Sequence, residues 1–306
     1  MSETVKPFDG KIVVNTLAGL HMQAAITAGL PMTYKEKSTI NEHLNINQNL
    51  LPDANIKPEM RFLVVGNKGH EVSDVNSGLI TPMPIRHQPT DAAPYGIQPV
   101  VLRPLDNDLT EQERELVALR RKEEHKGKQW WAYYAYKLDF RSQTVQDFYT
   151  VVRDGVAKVD EFEYSDINLH PQPPKMPNYN YEVTEQVVED DGDYVHTAAT
   201  LPIPLNEWMV NEAMNVANIL HGDPRLAVMS ELCLCHGVPT MVSAESATGS
   251  PFQFEEVIGM QVSIFLTTFV NLSFNNKGVA YDVEFGQVEP MPLAPGQVQQ
   301  STLTAS

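Results

Sequence analysis

Cysteine is nearly missing from this chain. The two present, Cys233 and Cys235, lie two residues apart in a sequence of 306. That spacing does not suit an ordinary disulfide and no third cysteine is on offer, so the chain reads as one made in a reducing compartment. Basic residues are also scarce: 22 Lys and Arg stand against 39 Asp and Glu, a net charge of −17. Such a field repels phosphate backbones and anionic bilayers, so no nucleic-acid partner and no membrane surface is expected. No run reaches about 18 apolar residues, the length of a membrane-crossing helix. The opening residues, MSETVKPFDG, carry neither a basic nor an apolar leader region, and no secretory leader is expected there.

Catalytic signatures are missing too. The sequence holds no H-E-x-x-H, no G-x-S-x-G, no G-x-G-x-x-G and no P-loop, so it predicts no enzyme and no cofactor. The nine histidines are scattered. The acidic run Glu189-Asp190-Asp191-Gly192-Asp193 lacks EF-hand spacing and reads as a solvated loop rather than a calcium site. Cys233-Leu234-Cys235-His236 is a weak metal candidate. Zinc sites use C-x2–4-C pairs, twice, and no second pair exists here. On the expected helix the two thiols would also diverge by about 200°, leaving two buried small apolar side chains. Paired carboxylates for glycan hydrolysis are too numerous among 39 acids to test from sequence.

What is plentiful is proline. It clusters in LPDANIKP, TPMPIRHQPTDAAP, HPQPPKMP and EPMPLAPG, predicting long, pinned, irregular connections. At 42% hydrophobic residues the chain has material for a sizeable core in one large domain or two ordinary ones.

The densest feature is aromatic. Residues 119–140, LRRKEEHKGKQWWAYYAYKLDF, predict a turn at His125-Lys126-Gly127-Lys128 leading into a strand. One face of that strand carries Trp130, Ala132, Tyr134, Tyr136, Leu138 and Phe140. The other carries Trp131, Tyr133, Ala135, Lys137 and Asp139. Base or sugar stacking conflicts with the net charge, so the block reads as a core wall, with Trp130, Trp131 and Tyr133 as candidate interface anchors.

Elsewhere, residues 61–66 predict a strand, and 72–107 a long ordered loop with one short strand at 99–103. Thr110-Glu111-Gln112-Glu113 is a capping box opening a short helix that runs on through Leu116, Val117 and Leu119 into Arg120, Arg121 and Lys122. Residues 148–164 predict a hairpin turning at Asp154-Gly155, which makes the middle of the chain an antiparallel meander. Helices are expected from Leu205 to about Leu220, over 224–235, and from Phe252 to about Ile264, the last drifting into a strand. A hairpin turning at Asn275–Gly278 follows. The last stretch, EPMPLAPGQVQQSTLTAS, is predicted to be ordered only against a partner, with Pro292 and Pro295 as contact residues.

The segments RHQPTDAAPYGIQPVVLRPLDNDLTEQER, KQWWAYYAYKLDF and ILHGDPRLAVMSELCLCHGV resemble uncharacterised virion structural proteins of tailed bacteriophages, over roughly residues 60–290. This is a likeness of whole segments rather than of a diagnostic motif, and it brings no catalytic residues. It implies a tail baseplate or neck component, made in the host cytoplasm, located in the virion, and partnered by other virion proteins including copies of itself.

The expected fold is α+β: antiparallel hairpins, a helical cluster in the C-terminal third and long proline-rich loops. The expected organisation is an N-terminal region at 1–107, a helix with hairpins at 108–165, a linker at 166–204, helices with a terminal hairpin at 205–288, and an extended tail at 289–306. Two other functions are weighed. A glycan- or cell-wall-acting hydrolase would show a cleft with two close carboxylates. A receptor-binding tail protein would show exposed aromatics around a shallow groove.

Overall fold

The computed structural model describes residues 12–30, 39–46, 58–74, 80–153, 156–164, 192–245, 249–274 and 278–291. Residues 166–191 of the expected linker at 166–204, the Asp154-Gly155 turn, Glu189–Asp191, and Pro292 and Pro295 of the tail lie outside them, and the remainder of that linker, 192–204, is not a linker but strand. The chain divides into two compact units. One is Met1–Asp139 with Pro204–Ala280; the other is Phe140–Ile203 with Tyr281–Ser306.

The first unit is built on β1 (Ile12–Asn15), β2 (Glu59–Gly66), β5 (Val101–Pro104), β6 (Val117–His125), β7 (Lys128–Lys137), β11 (Val228–Glu245) and β12 (Pro251–Asn271). They form one antiparallel sheet in the order β1-β12-β11-β2-β7-β5, with β6 on the other side of β7. The sheet curls back on itself, because Arg121 on β6 reaches Glu256 on β12 at 2.7 Å. Inside the curl lies a core that includes Phe62, Val64, Tyr134, Cys233, Cys235, Val262 and Phe265. A small antiparallel pair, β3 (His70–Asp74) and β4 (Ile80–Pro84), follows β2.

Among the described residues, four α-helices accompany this sheet. α1 (Leu17–Ala28) is capped by Thr16, whose hydroxyl accepts from the Gly19 N–H, and ends at Gly29 in the left-handed region, where glycine carries no Cβ penalty. It presses on β12 so closely that a Cβ at Gly19 would lie 2.6 Å from the Ser263 Cα. α2 (Thr39–His43) supplies Ile40 to the core. α3 (Glu111–Arg114) shows both halves of the Thr110–Glu113 capping box. α4 (Glu207–His221) starts at Asn206, ends at Gly222, and buries Met209, Ala213, Val216 and Ala217 as one stripe. Its Glu212 receives both arms of Arg103, at 2.6 Å each.

The helical expectations fail in three places. Residues 117–122 do not extend α3; they are strand β6, held by pairing along the length of β7 through the tight turn at Lys126 and Gly127, both at positive φ. Residues 224–235 hold one 3-10 turn (Pro224–Leu226) and then β11. Residues 252–264 belong to β12. There is no helical cluster in the C-terminal third, where α4 is the one α-helix among the described residues. The physical reason is burial on both faces: Met229–Val238 and Val257–Thr268 are enclosed throughout, so neither shows the period of two that reveals a half-exposed strand.

The second unit contains β8 (Gln146–Arg153) and β9 (Val156–Glu161), with most of β10 (Gly192–Leu205) and β13 (Val279–Pro290). Their order is β13-β10-β8-β9. The two central hairpins therefore belong to different sheets: β6 and β7 to the first, β8 and β9 to the second.

Candidate interaction surfaces and closed polar centres

The aromatic block is a wall. Tyr133 is 1% exposed; its hydroxyl donates to Asp108 at 2.9 Å, and burial with that carboxylate pushes its pKa up. Enclosed within its own chain, Tyr133 has no surface to offer a neighbour, which corrects its place among the interface anchors. Trp130 is half-buried against the core. Trp131 is half-buried beneath Arg120, whose guanidinium carbon lies 3.3 Å from the ring centroid. The same guanidinium donates twice to Asp108, at 3.0 and 2.7 Å. Arg120→Lys should lose the stack and one of the two donations, costing about 1–2 kcal/mol. The urea midpoint reads this directly, and an unchanged midpoint would show that the stack carries no stability.

A cleft of about 860 Å3 in the first unit is lined by Arg61, Arg114, Lys137, Glu115, Phe252 and Glu255 among others. Arg114 lies 4.2 Å over the Phe252 ring. Glu255 stands 3.6 Å from Arg61 and 3.8 Å from Lys137. Burial lowers the Lys137 pKa, and Glu255 opposes that shift. Charges of both signs alternate along this cleft, so it makes no field for a single anion or cation. It suits a polar protein surface better than a small charged ligand.

Three buried polar centres are closed to ligands. The first is Glu231, on β11, which is fully enclosed. Its carboxylate accepts from the backbone N–H groups of Lys68, Tyr95 and Gly96 at 3.2, 2.6 and 3.3 Å, and stands 2.9 Å from His87 Nε2. His87 is stacked between Phe265 and Tyr95 at 3.8 and 4.3 Å, and its Nδ1 lies 2.8 Å from Asp91. A Cβ at Gly66 or Gly69 would run into the Glu231 side chain. This carboxylate pins two loops, 67–69 and 87–96, onto the sheet. Nothing in the sequence distinguishes it from the other acids.

The second centre is His236, whose Nδ1 lies 2.5 Å from Ser263 Oγ. A serine–histidine pair suggests nucleophilic chemistry, but this one is buried beneath α1 with 7% of His236 and 3% of Ser263 exposed, and neither lines a described cleft. Burial pushes the His236 pKa down to about 4. The third is Cys233 and Cys235. On a strand, residues two apart share a face, so the thiols do not diverge as on a helix. Both lie in the core, burial raises both pKa values, and the Cys235 Sγ–H points at the Cys233 carbonyl, 3.4 Å away. His236 faces Ser263 instead. Among the described residues no three His, Cys, Asp or Glu side chains gather as metal ligands.

In the second unit, Asp193 of the acidic run accepts from the Tyr149 hydroxyl and from Arg153, both at 2.6 Å, which lowers its pKa. It works as a cross-strand anchor. At the sheet edge, all six residues of β9 are exposed, with Val156 at 70% and Val159 at 53%. Val145 and Tyr164 beside the hairpin are exposed as well.

The chain belongs to DUF7208, a family of unknown function. The match covers residues 2–300, and so takes in both units of this DUF7208 chain. Comparison with the curated proteins and with the solved structures finds no match.

Proposed function

We propose that this chain is a structural component of a tailed-bacteriophage virion, in the tail baseplate wedge or the neck, and that it acts by subunit–subunit assembly rather than catalysis. The observation that carries this reading is the open edge of the second sheet. β9 is exposed along its whole length and bears two large exposed valines. Among the described residues no strand pairs with the outer side of β9, and an unpaired edge is a template for another chain. Two features support the reading: the Glu231, His236 and cysteine centres of the first unit are buried away from substrates, and the three segments quoted above resemble virion structural proteins. In this role the mixed-charge cleft and the β9 edge serve as contact surfaces, and the buried Glu231 keeps two loops rigid, which reduces the ordering cost of association.

The test is mass spectrometry of purified particles of the phage that encodes the chain, with antibody labelling of intact virions viewed by electron microscopy. The chain should be found in the particle, with label at the neck or baseplate. Its absence from purified particles would overturn the proposal.

A further inference from the structure

We infer that two copies of this chain join through β9, edge to edge and antiparallel, about a two-fold axis at Val159, so that two four-stranded sheets become one of eight. The inference rests on the assembly reading of the same strand and names the partner: a second copy.

The backbone of β9 sets which registers are open. The Phe162 N–H donates to the Asp147 carbonyl of β8's side of the hairpin at 2.8 Å. Backbone groups alternate sides along a strand, so Val156, Lys158 and Asp160 also face β8. The N–H and C=O groups of Ala157, Val159 and Glu161 face outward. Antiparallel self-pairing must set these three against the same three of the other copy.

Charge then selects among the registers that do so. An axis at Lys158 would put Lys158 opposite Lys158 of the partner subunit. An axis at Asp160 would put Asp160 opposite Asp160 of the partner subunit. Like charges directly opposite one another destabilise a sheet. With the axis at Val159, Lys158 of each copy faces Asp160 of the other, twice. These are non-hydrogen-bonded positions, where facing side chains approach most closely. The outward backbone groups then match in full: Ala157 with Glu161, Val159 with Val159, and Glu161 with Ala157.

Within one chain Lys158 and Asp160 meet each other along the strand, at 2.6 Å, with side chains 76% and 54% exposed. A lysine on an edge strand serves in many proteins to block pairing. Here Lys158 and Asp160 each block one neighbouring register and together favour one. The exposed Val159 lies at the centre, against its own copy.

The test uses the full chain in sedimentation equilibrium across concentrations up to about 100 μM, near the weak end of useful self-association. The wild type should dimerise. Val159→Pro removes one outward N–H without touching the bonds to β8, a place where an edge strand tolerates proline, and should weaken the dimer at least about tenfold. K158D and D160K should each weaken it by a similar factor, because each sets four like charges together. An equimolar mixture of the K158D and D160K chains should dimerise again, since only the mixed pair restores both attractions. A wild type that stays monomeric, a dimer indifferent to Val159→Pro, or a mixture no stronger than its components would each overturn the inference. The two proposals fail separately: a chain absent from virions that still dimerises through β9 sinks the virion role alone, and a monomer found in virions sinks the pairing alone.

Discussion

Glu231→Ala is expected to cost about 4 kcal/mol, the scale of breaking a buried charged network by removing one partner. Three backbone N–H groups and the His87 ring would lose their acceptor at once, in a place water does not reach. A methyl group cannot accept, so the loops at 67–69 and 87–96 must either hold unpaired donors or come away from the sheet. Glu231→Gln keeps one oxygen but turns an amide N–H2 toward donors, and should cost about 2 kcal/mol. Urea unfolding reads both: the midpoint should fall in that order at unchanged slope. Faster proteolysis within 87–96 should accompany it, because that loop loses its anchor. A Glu231→Ala midpoint within about 1 kcal/mol of wild type would mean that water replaces the carboxylate, and the staple would not be one. Should Glu231→Ala fail to fold, the glutamine variant still carries the comparison.

The second large effect is a loss of stability in mild acid through His236. Burial holds its folded pKa at about 4, below the ordinary 6.5. Between those values the unfolded chain takes up a proton that the folded chain refuses. Stability from this group is therefore complete above about pH 6.5 and is lost as the pH falls toward about 4, by about 3 kcal/mol in all. Protonation would put a charge against Ser263 beneath α1, with Gly19 packed too closely for the helix to yield. His236→Gln keeps a group able to hydrogen-bond the serine and does not titrate. The measurement is unfolding free energy for both chains at several pH values from 7 to 4. Their difference should change with pH across that window. A constant difference would show that the folded imidazole protonates as it does in water.

Much of the local structure is legible in the residues. Thr110 and Glu113 cap a helix because a hydroxyl and a carboxylate three residues apart satisfy each other's backbone. Lys126-Gly127 turns the chain, and the aromatic strand after it stands where its composition put it. Gly222 ends α4 with the left-handed conformation that glycine adopts without strain. All of these depend on neighbours a few residues away, which a sequence displays in order.

Three things depended on the tertiary structure alone. Residues 229–238 and 257–268 belong to long paired strands, not helices, because both their faces are covered, which erases the alternation by which a strand is recognised. Cys233 and Cys235 share a core-facing side because residues two apart on a strand point the same way. Glu231 became the anchor of two loops because folding brings Lys68, His87, Tyr95 and Gly96 to it from 135 or more residues away. A buried acceptor is defined by the donors that converge on it, and convergence across such separations leaves no periodicity and no spacing in the linear chain.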